Sequence, residues 1–341
     1  MNSAPDQGIF IVDKPVGMTS AGVVARMRRM LGMKRVGHTG TLDPFATGVL
    51  PICFGRATGA AHFMLAWPKR YVVDVSLGEA TDTMDREGEV IERVGDPSAE
   101  CKRWMSDQGG ADIKDAVRRL IGPQAQRAPM YSAVKVDGRP LYRYARAGET
   151  VERPVRTVEV YEARICDRRV GKDGWPVVTL DFFVSSGTYI RVLADRLGRM
   201  LGTYGHAIAL CRRSTGPFHI DDACALDDIA RRFDDLGRDP VAFRRVMVER
   251  GGVRPTADAF RGWPAVTVDR DRALDLAHGR TISVAPEDVV LPSPSAVRLG
   301  PPPSEDAAVF LDDAGRLIAV GRTADGTGRV RRVFIAPEEV R

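Results

Sequence analysis

Gly37-His38-Thr39-Gly40-Thr41-Leu42-Asp43-Pro44-Phe45-Ala46-Thr47-Gly48-Val49-Leu50 sets a single carboxylate, Asp43, in a loop crowded with Gly, Thr and Pro. Glycine permits close backbone approach and positive φ, the hydroxyls donate to nearby acceptors, and Pro44 restricts the residue before it. An Asp-Pro pair alone is an ordinary turn starter between a helix and a strand. A loop of this composition can also hold an acid against a ligand, and the flanking segments bear on which reading applies.

Upstream, residues 9 to 12 read as a short strand running into Lys14-Pro15-Val16-Gly17-Met18-Thr19-Ser20, a turn that ends on a good helix N-cap. Val23, Val24, Met27 and Leu31 then keep helical spacing, and Gly32 closes the helix. Arg26, Arg28, Arg29, Lys34 and Arg35 gather positive charge just before the Asp43 loop, as a solvated face or as phosphate contacts. Downstream, Tyr71, Val73, Val75 and Leu77 alternate on one side of a half-buried strand, after the basic pair Lys69-Arg70 and before Gly78. From pattern alone Tyr71 is a core tyrosine. Residues 81 to 88 supply a polar turn.

Ile113, Ala116, Val117, Leu120 and Ile121 mark a second amphipathic helix, with Asp112 expected as its cap and Gly122 as its stop. Between Lys135 and Arg156 six basic residues face three acids, interleaved with Tyr142 and Tyr144. Basic charge mixed with aromatics suits an element that follows an RNA backbone and stacks on bases; the plain alternative is an exposed helix with surface arginines. Residues 177 to 184 read as a buried strand, and Ile190, Leu193, Leu197 and Leu201 as the apolar stripe of a helix. That places Tyr189 and Arg191 in a first helical turn, where the helix dipole disfavours a cation. An acidic partner for Arg191 is therefore expected, and Asp43 is the candidate.

Hydrophobic content of 44% and charged content of 28% belong to a soluble globular chain, and 341 residues suggest two domains. A net charge of +5 permits a polyanion partner without requiring one. The apolar run at residues 8 to 12 is too short for a signal core or a membrane span, so a cytoplasmic location with no membrane association is expected. Cys53, Cys101, Cys166, Cys211 and Cys224 form no CxxC pair and read as reduced and mostly buried. The five histidines show no ligand spacing, and no Walker loop or dinucleotide fingerprint is present. Neither metal nor cofactor is expected. Beyond about residue 254 short alternating runs such as residues 265 to 268, with a Pro-rich loop from 291 to 304, read as a small β-rich domain.

Fourteen consecutive residues, Gly37 to Leu50, match the signature loop of the TruB family of pseudouridine synthases, and three further segments match in order. These are Lys-Pro-x-Gly-x-Thr-Ser at 14 to 20, Ser-x-Gly-Thr-Tyr-Ile-Arg at 185 to 191, and Leu210-Cys211-Arg212 leading to Gly216-Pro217-Phe218. Residues 129 to 135 also resemble the family's Tyr-Ser-Ala-x-Lys segment, with Ala128-Pro129 where two prolines are common.

The resemblance implies an α+β pseudouridine-synthase fold: a mixed, largely antiparallel sheet flanked by helices over residues 1–250, a basic RNA-contacting insertion at about 123–156, and a PUA-like RNA-binding domain over 251–341. It implies a tRNA pseudouridine synthase that isomerises the T-loop uridine (position 55 of tRNA). Asp43 is then the catalytic carboxylate, reacting in its ionised form, and Arg191 pairs with it and lowers its pKa. Tyr71 stacks on the flipped base and assists at C5, while Tyr189 and Leu210 line the pocket. His38 fills the vacated place in the RNA loop, and Lys14 and Lys135 contact substrate. The implied partner is the tRNA T stem-loop, bound by a monomer with no obligatory protein partner. Two alternatives stand beside this reading: a tRNA-folding chaperone with or without catalysis, and a guide-dependent synthase of the dyskerin kind.

Overall fold

The computed structural model describes residues 6–340. In chain order, β1 (Gly8–Lys14) leads into α1 (Ser20–Leu31), followed by β2 (Val36–His38), β3 (Thr47–Phe54) and the single turn α2 (Ala61–Met64). Next come β4 (Lys69–Leu77), β5 (Glu79–Thr81), β6 (Val90–Arg93), α3 (Pro97–Met105), α4 (Asp107–Arg119) and β7 (Gly122–Arg127). The basic segment holds β8 (Lys135–Val136), β9 (Arg139–Pro140) and α5 (Leu141–Arg146). After it run β10 (Val155–Val170), β11 (Pro176–Val184), α6 (Ile190–Met200) and β12 (Gly205–Thr215). The remainder comprises β13 (Phe218–His219), β14 (Cys224–Ala225), α7 (Leu226–Asp235), α8 (Pro240–Glu249), β15 (Ala265–Thr267) and α9 (Arg270–Ala277). It ends with β16 (Ile282–Ser283), β17 (Val289–Val290), α10 (Pro294–Leu299), β18 (Ala307–Leu311), β19 (Leu317–Ala324) and β20 (Thr327–Val333).

The fold is α+β, and its strand pairs are mostly antiparallel, with parallel pairs at β1/β14 and β15/β18. The chain forms two compact units. One takes residues up to 42, 48–68 and 214 onward; the other takes 43–47 and 69–213.

In the first unit the strands run β14–β1–β3, with β2 on β3. The Thr19 hydroxyl accepts from the Gly22 amide to start α1, whose Val23, Val24, Met27 and Leu31 are buried as their spacing predicts. Ile9, Ile11, Val49 and Cys53 share one core with Trp67, Phe218, Trp263 and Phe334. Residues from the C-terminal segment thus help close the core begun by β1. The C-terminal sheet, β16–β20–β19–β18–β15–β17, covers a second core around Val266, Leu276, Phe310 and Ile318.

The second unit orders its strands β12–β4–β11–β10–β7. Tyr71, Val73, Val75 and Leu77 are all buried on β4, and Tyr71 pairs with Phe182 of β11. At the strand's end Gly78 has φ of 115° and lies under the Trp175 ring, which a Cβ would approach to 2.1 Å. The Leu-Gly ending therefore satisfies both backbone and packing.

Three expectations change on inspection. Asp112 lies inside α4, which begins at Asp107 behind a Ser106 cap. Gly109 sits against the backbone of Arg103 and Trp104, so a residue of poor helix propensity is kept in the helix by close approach to α3. Tyr189 is the N-cap of α6, not a residue of its first turn. Of the cysteines only Cys53 is buried, its thiol pushed up to about 12 by that burial; Cys166 is exposed and the other three are half-buried. Strand β3 is buried continuously from Gly48 to Phe54, Cys53 included, whereas Cys166 lies on a largely exposed stretch of β10.

Candidate active site

The segment carrying Asp43 is held at its root by Ser20, whose hydroxyl accepts from the Leu42 amide at 2.9 Å and donates to the Leu42 carbonyl at 3.2 Å. A turn closes from the Ala46 amide to the Asp43 carbonyl at 3.1 Å, and Phe45 and Ala46 are buried. The Thr47 hydroxyl then meets the Leu210 carbonyl at 3.5 Å, tying the segment to β12.

Opposite Asp43 stands Arg191, one residue into α6 and only 3% exposed. Its Nε lies 2.9 Å from Asp43 Oδ2 and its Nη2 donates to Asp43 Oδ1 at 3.3 Å, a bidentate grip. The same Nη2 donates to the Tyr131 carbonyl at 2.8 Å. Nη1 donates to the Thr83 carbonyl at 2.9 Å and lies 3.1 Å from Asp85 Oδ2. The guanidinium thus donates three hydrogen bonds, to Asp43 and to two carbonyls, and lies within ion-pair distance of both carboxylates. The acidic partner expected from the helix-dipole argument is present, together with one that was not expected.

That second acid is Asp85. Its side chain is 5% exposed against 32% for Asp43, so the two carboxylates on one arginine occupy different environments. Asp85 Oδ1 accepts from the Thr83 hydroxyl at 2.7 Å and from the Glu87 amide at 3.0 Å. The turn bearing it is pinned to β12 through an Asp85–Ala207 bridge, with the Ala207 amide donating to the Met84 carbonyl at 3.0 Å. Glu87 is the third acid nearby; burial, then the charges of Asp85 and Asp43, hold its carboxyl above the usual range. Residues 81 to 88 look from sequence like a polar turn, and no local pattern marks Asp85.

The remaining site residues fall as follows. Tyr71 is buried on β4 and Leu210 on β12, strands that neighbour each other in the sheet. Two residues from each, on the same strand faces, are the buried cations Lys69 and Arg212. Burial and the Arg212 charge push the Lys69 amine down to about 7. Tyr189 is half-buried at the N-cap of α6, and Lys135 is exposed on β8. In the other unit, Lys14 is fully buried, its Nζ donating to the Pro15 and Met18 carbonyls at 2.9 and 2.6 Å, which locks the Pro-Gly turn. His38 is half-buried on β2, paired with Ile52.

The basic segment is ordered by its own aromatics. The Arg139 guanidinium lies 4.3 Å from the Tyr144 ring and pairs with Glu149 at 2.9 Å, while Arg146 lies 5.6 Å from the Tyr142 ring. Among the described residues no group of three or more His, Cys, Asp or Glu has a metal-binding arrangement, and no helix is long and apolar enough to cross a membrane.

The family model described as TruB family pseudouridylate synthase (N terminal domain) matches residues 28–190. The tRNA pseudouridine synthase B of Geobacillus thermodenitrificans (strain NG80-2) is 45% identical over 230 residues, covering 67% of this chain and 73% of its own. That of Burkholderia lata (strain 383) is 35% identical over 330 residues, covering 96% and 90%. Among solved structures, a chain from a Cbf5-Nop10-Gar1 complex superposes with a TM-score of 0.67 at 24% identity, over 97% of this chain and 86% of that one. At that identity the likeness concerns the fold.

Proposed function

This chain belongs to the TruB family of tRNA pseudouridine synthases, which are isomerases, and from that premise we propose that it converts the T-loop uridine at position 55 of tRNA to pseudouridine with Asp43 as the reacting group. The reaction breaks N1–C1′, turns the base over and joins C5 to C1′. The proton lost from C5 balances the one gained at N1, so no redox carrier or energy source enters.

The observation that carries the assignment is the buried placement of Arg191 between two carboxylates. Buried between Asp43 and Asp85 and bonded to two carbonyls, the guanidinium is engaged by the protein itself, and its work is to hold Asp43 ionised and aimed. Asp43 keeps a third of its side chain open while Asp85 is enclosed, so Asp43 is the acid that meets the ribose or base. Either covalent attack or removal of a ribose proton uses that ionised carboxylate.

The target base sits in a folded RNA loop and is flipped out, which costs a few kcal/mol that new contacts offset. Tyr71 and Leu210 sandwich it, Tyr189 lines the pocket, and Tyr71 assists loss of the C5 proton. His38 occupies the vacated place in the RNA loop, and Lys14 stiffens the turn that leads to α1. We further assign residues 1–250 to catalysis and 251–341 to a PUA-like RNA-binding domain. In support of the latter, Arg322, Arg329, Arg331 and Arg332 are exposed on β19 and β20. A bulge pairs Val320 with Arg332 but Gly321 with Val330, leaving Arg331 as the extra residue, with its guanidinium 5.5 Å from the Phe63 ring.

The test is tritium release from C5-labelled uridine in an unmodified tRNA transcript, beside a transcript lacking the T-loop uridine. Release confined to the first supports the assignment; equal release from both, or none with tight binding retained, removes it. The second outcome leaves a tRNA-folding chaperone.

For the basic insertion, Arg139, Arg143 and Arg146 changed together to Ser weaken tRNA binding. The slope of log K against log salt drops by about 2, because each lost phosphate contact returns roughly 0.7 to 0.9 of a counterion. A parallel shift at unchanged slope would mean that these arginines only order the segment through Tyr142 and Tyr144.

A further inference from the structure

Strand β7 buries a face that is polar. Gln124 and Gln126 share one side of the strand and are both buried, whereas Pro123, Ala125 and Arg127 on the other side are exposed. Buried amides are costly unless bonded, and both glutamines spend their oxygens on α6. Gln124 Oε1 accepts from Arg196 Nη1 at 2.9 Å, near the middle of the helix. Gln126 Oε1 accepts from the Tyr189 amide at 2.9 Å, at its start. Tyr189 makes no side-chain cap bond of its own, so Gln126 supplies an acceptor for the helix N-terminus from another strand.

The position of that bond matters because Arg191 lies two residues on. The chain leaving β7 also reaches Arg191, through the Tyr131 carbonyl at 2.8 Å. Gln126 Nε2 is buried with no partner among the described residues, a cost that an apolar side chain would avoid. A glutamine here therefore sacrifices stability, while its oxygen fixes the turn that carries the guanidinium.

We propose that Gln126 is a positioning residue for the isomerisation: by capping α6 at Tyr189 it sets the turn that carries Arg191, and through Arg191 the carboxylate of Asp43. This rests on the Asp43 chemistry proposed above. The matched control is Gln124, which grips the same helix away from the site.

The experiment is single-turnover pseudouridine formation at saturating tRNA transcript, with Tm and amide exchange measured on the same proteins. Gln126→Leu should lower the rate about 10- to 100-fold at nearly unchanged KM, the scale of a small misplacement of reacting groups. Gln126→Glu keeps an oxygen for the Tyr189 amide and should recover most of that loss. Gln124→Leu should lower Tm and leave the rate within about twofold, since its bond lies outside the first turn. Faster exchange of the Tyr189 amide in Gln126→Leu alone is expected whatever the activity. An unchanged rate in Gln126→Leu, or a Gln126→Glu variant as slow as Gln126→Leu, overturns the inference. If wild type forms no pseudouridine, the Asp43 reading falls instead, and unchanged exchange at Tyr189 would then remove the capping role separately.

Discussion

Asp43→Asn abolishes tritium release, with a loss on the order of 10⁴–10⁶-fold, the range seen when the reacting side chain of an enzyme is removed, while affinity for the transcript stays within about twofold. Asparagine is nearly isosteric, so the turn closed by the Ala46 amide and the Ser20 clamp on Leu42 are unaffected. What is lost is charge. Arg191 keeps Asp85 and two carbonyls, so the guanidinium stays in place and the fold around it holds. The variant therefore separates chemistry from recognition: filter binding reports the phosphate contacts, which Asp43 does not make, and tritium release reports the carboxylate. Binding that fell in step with activity would mean that Asp43 shapes the RNA site, and residual turnover near wild type would move the reacting group elsewhere.

How much of this was legible in the sequence depends on the range of the interactions involved. The Asp43–Arg191 pair could be anticipated from a local anomaly, a cation at a helix start, together with a loop that needed a partner for its acid. Helix α1 was legible because its cap, apolar stripe and closing glycine are contiguous, and β4 because Tyr71, Val73, Val75 and Leu77 recur at every second position. Asp85 was not, since its importance comes from a bridge to Ala207, far along the chain, that turns a polar loop inward. Nor were Gln124 and Gln126: alternating glutamines read as a solvated strand face, and only the docking of α6 buries them. Long-range pairing made both sites, and it leaves no period in the local pattern.

Arg191→Met combines the two kinds of information in one result. The substitution leaves Asp85, 5% exposed, with no cation on its Oδ2, and an uncompensated buried charge costs about 3–5 kcal/mol. For a chain of this size that corresponds to a drop in Tm of roughly 4–7 °C. Activity should fall by at least about 10²-fold, because Asp43 loses the bidentate grip that aims it. Adding Asp85→Asn to Arg191→Met removes the stranded charge, so Tm should recover in part while the rate does not. The pair forms a double-mutant cycle with a large coupling in stability and a small one in turnover. A Tm unchanged in Arg191→Met would show that water reaches Asp85 as readily as the arginine does. Recovery of both Tm and rate in the double variant would show that Arg191 serves only to neutralise Asp85, and that Asp43 finds its geometry without it. The expected split instead assigns one guanidinium two separable duties: neutralising the enclosed acid, which the fold requires, and orienting the open one, which the chemistry requires.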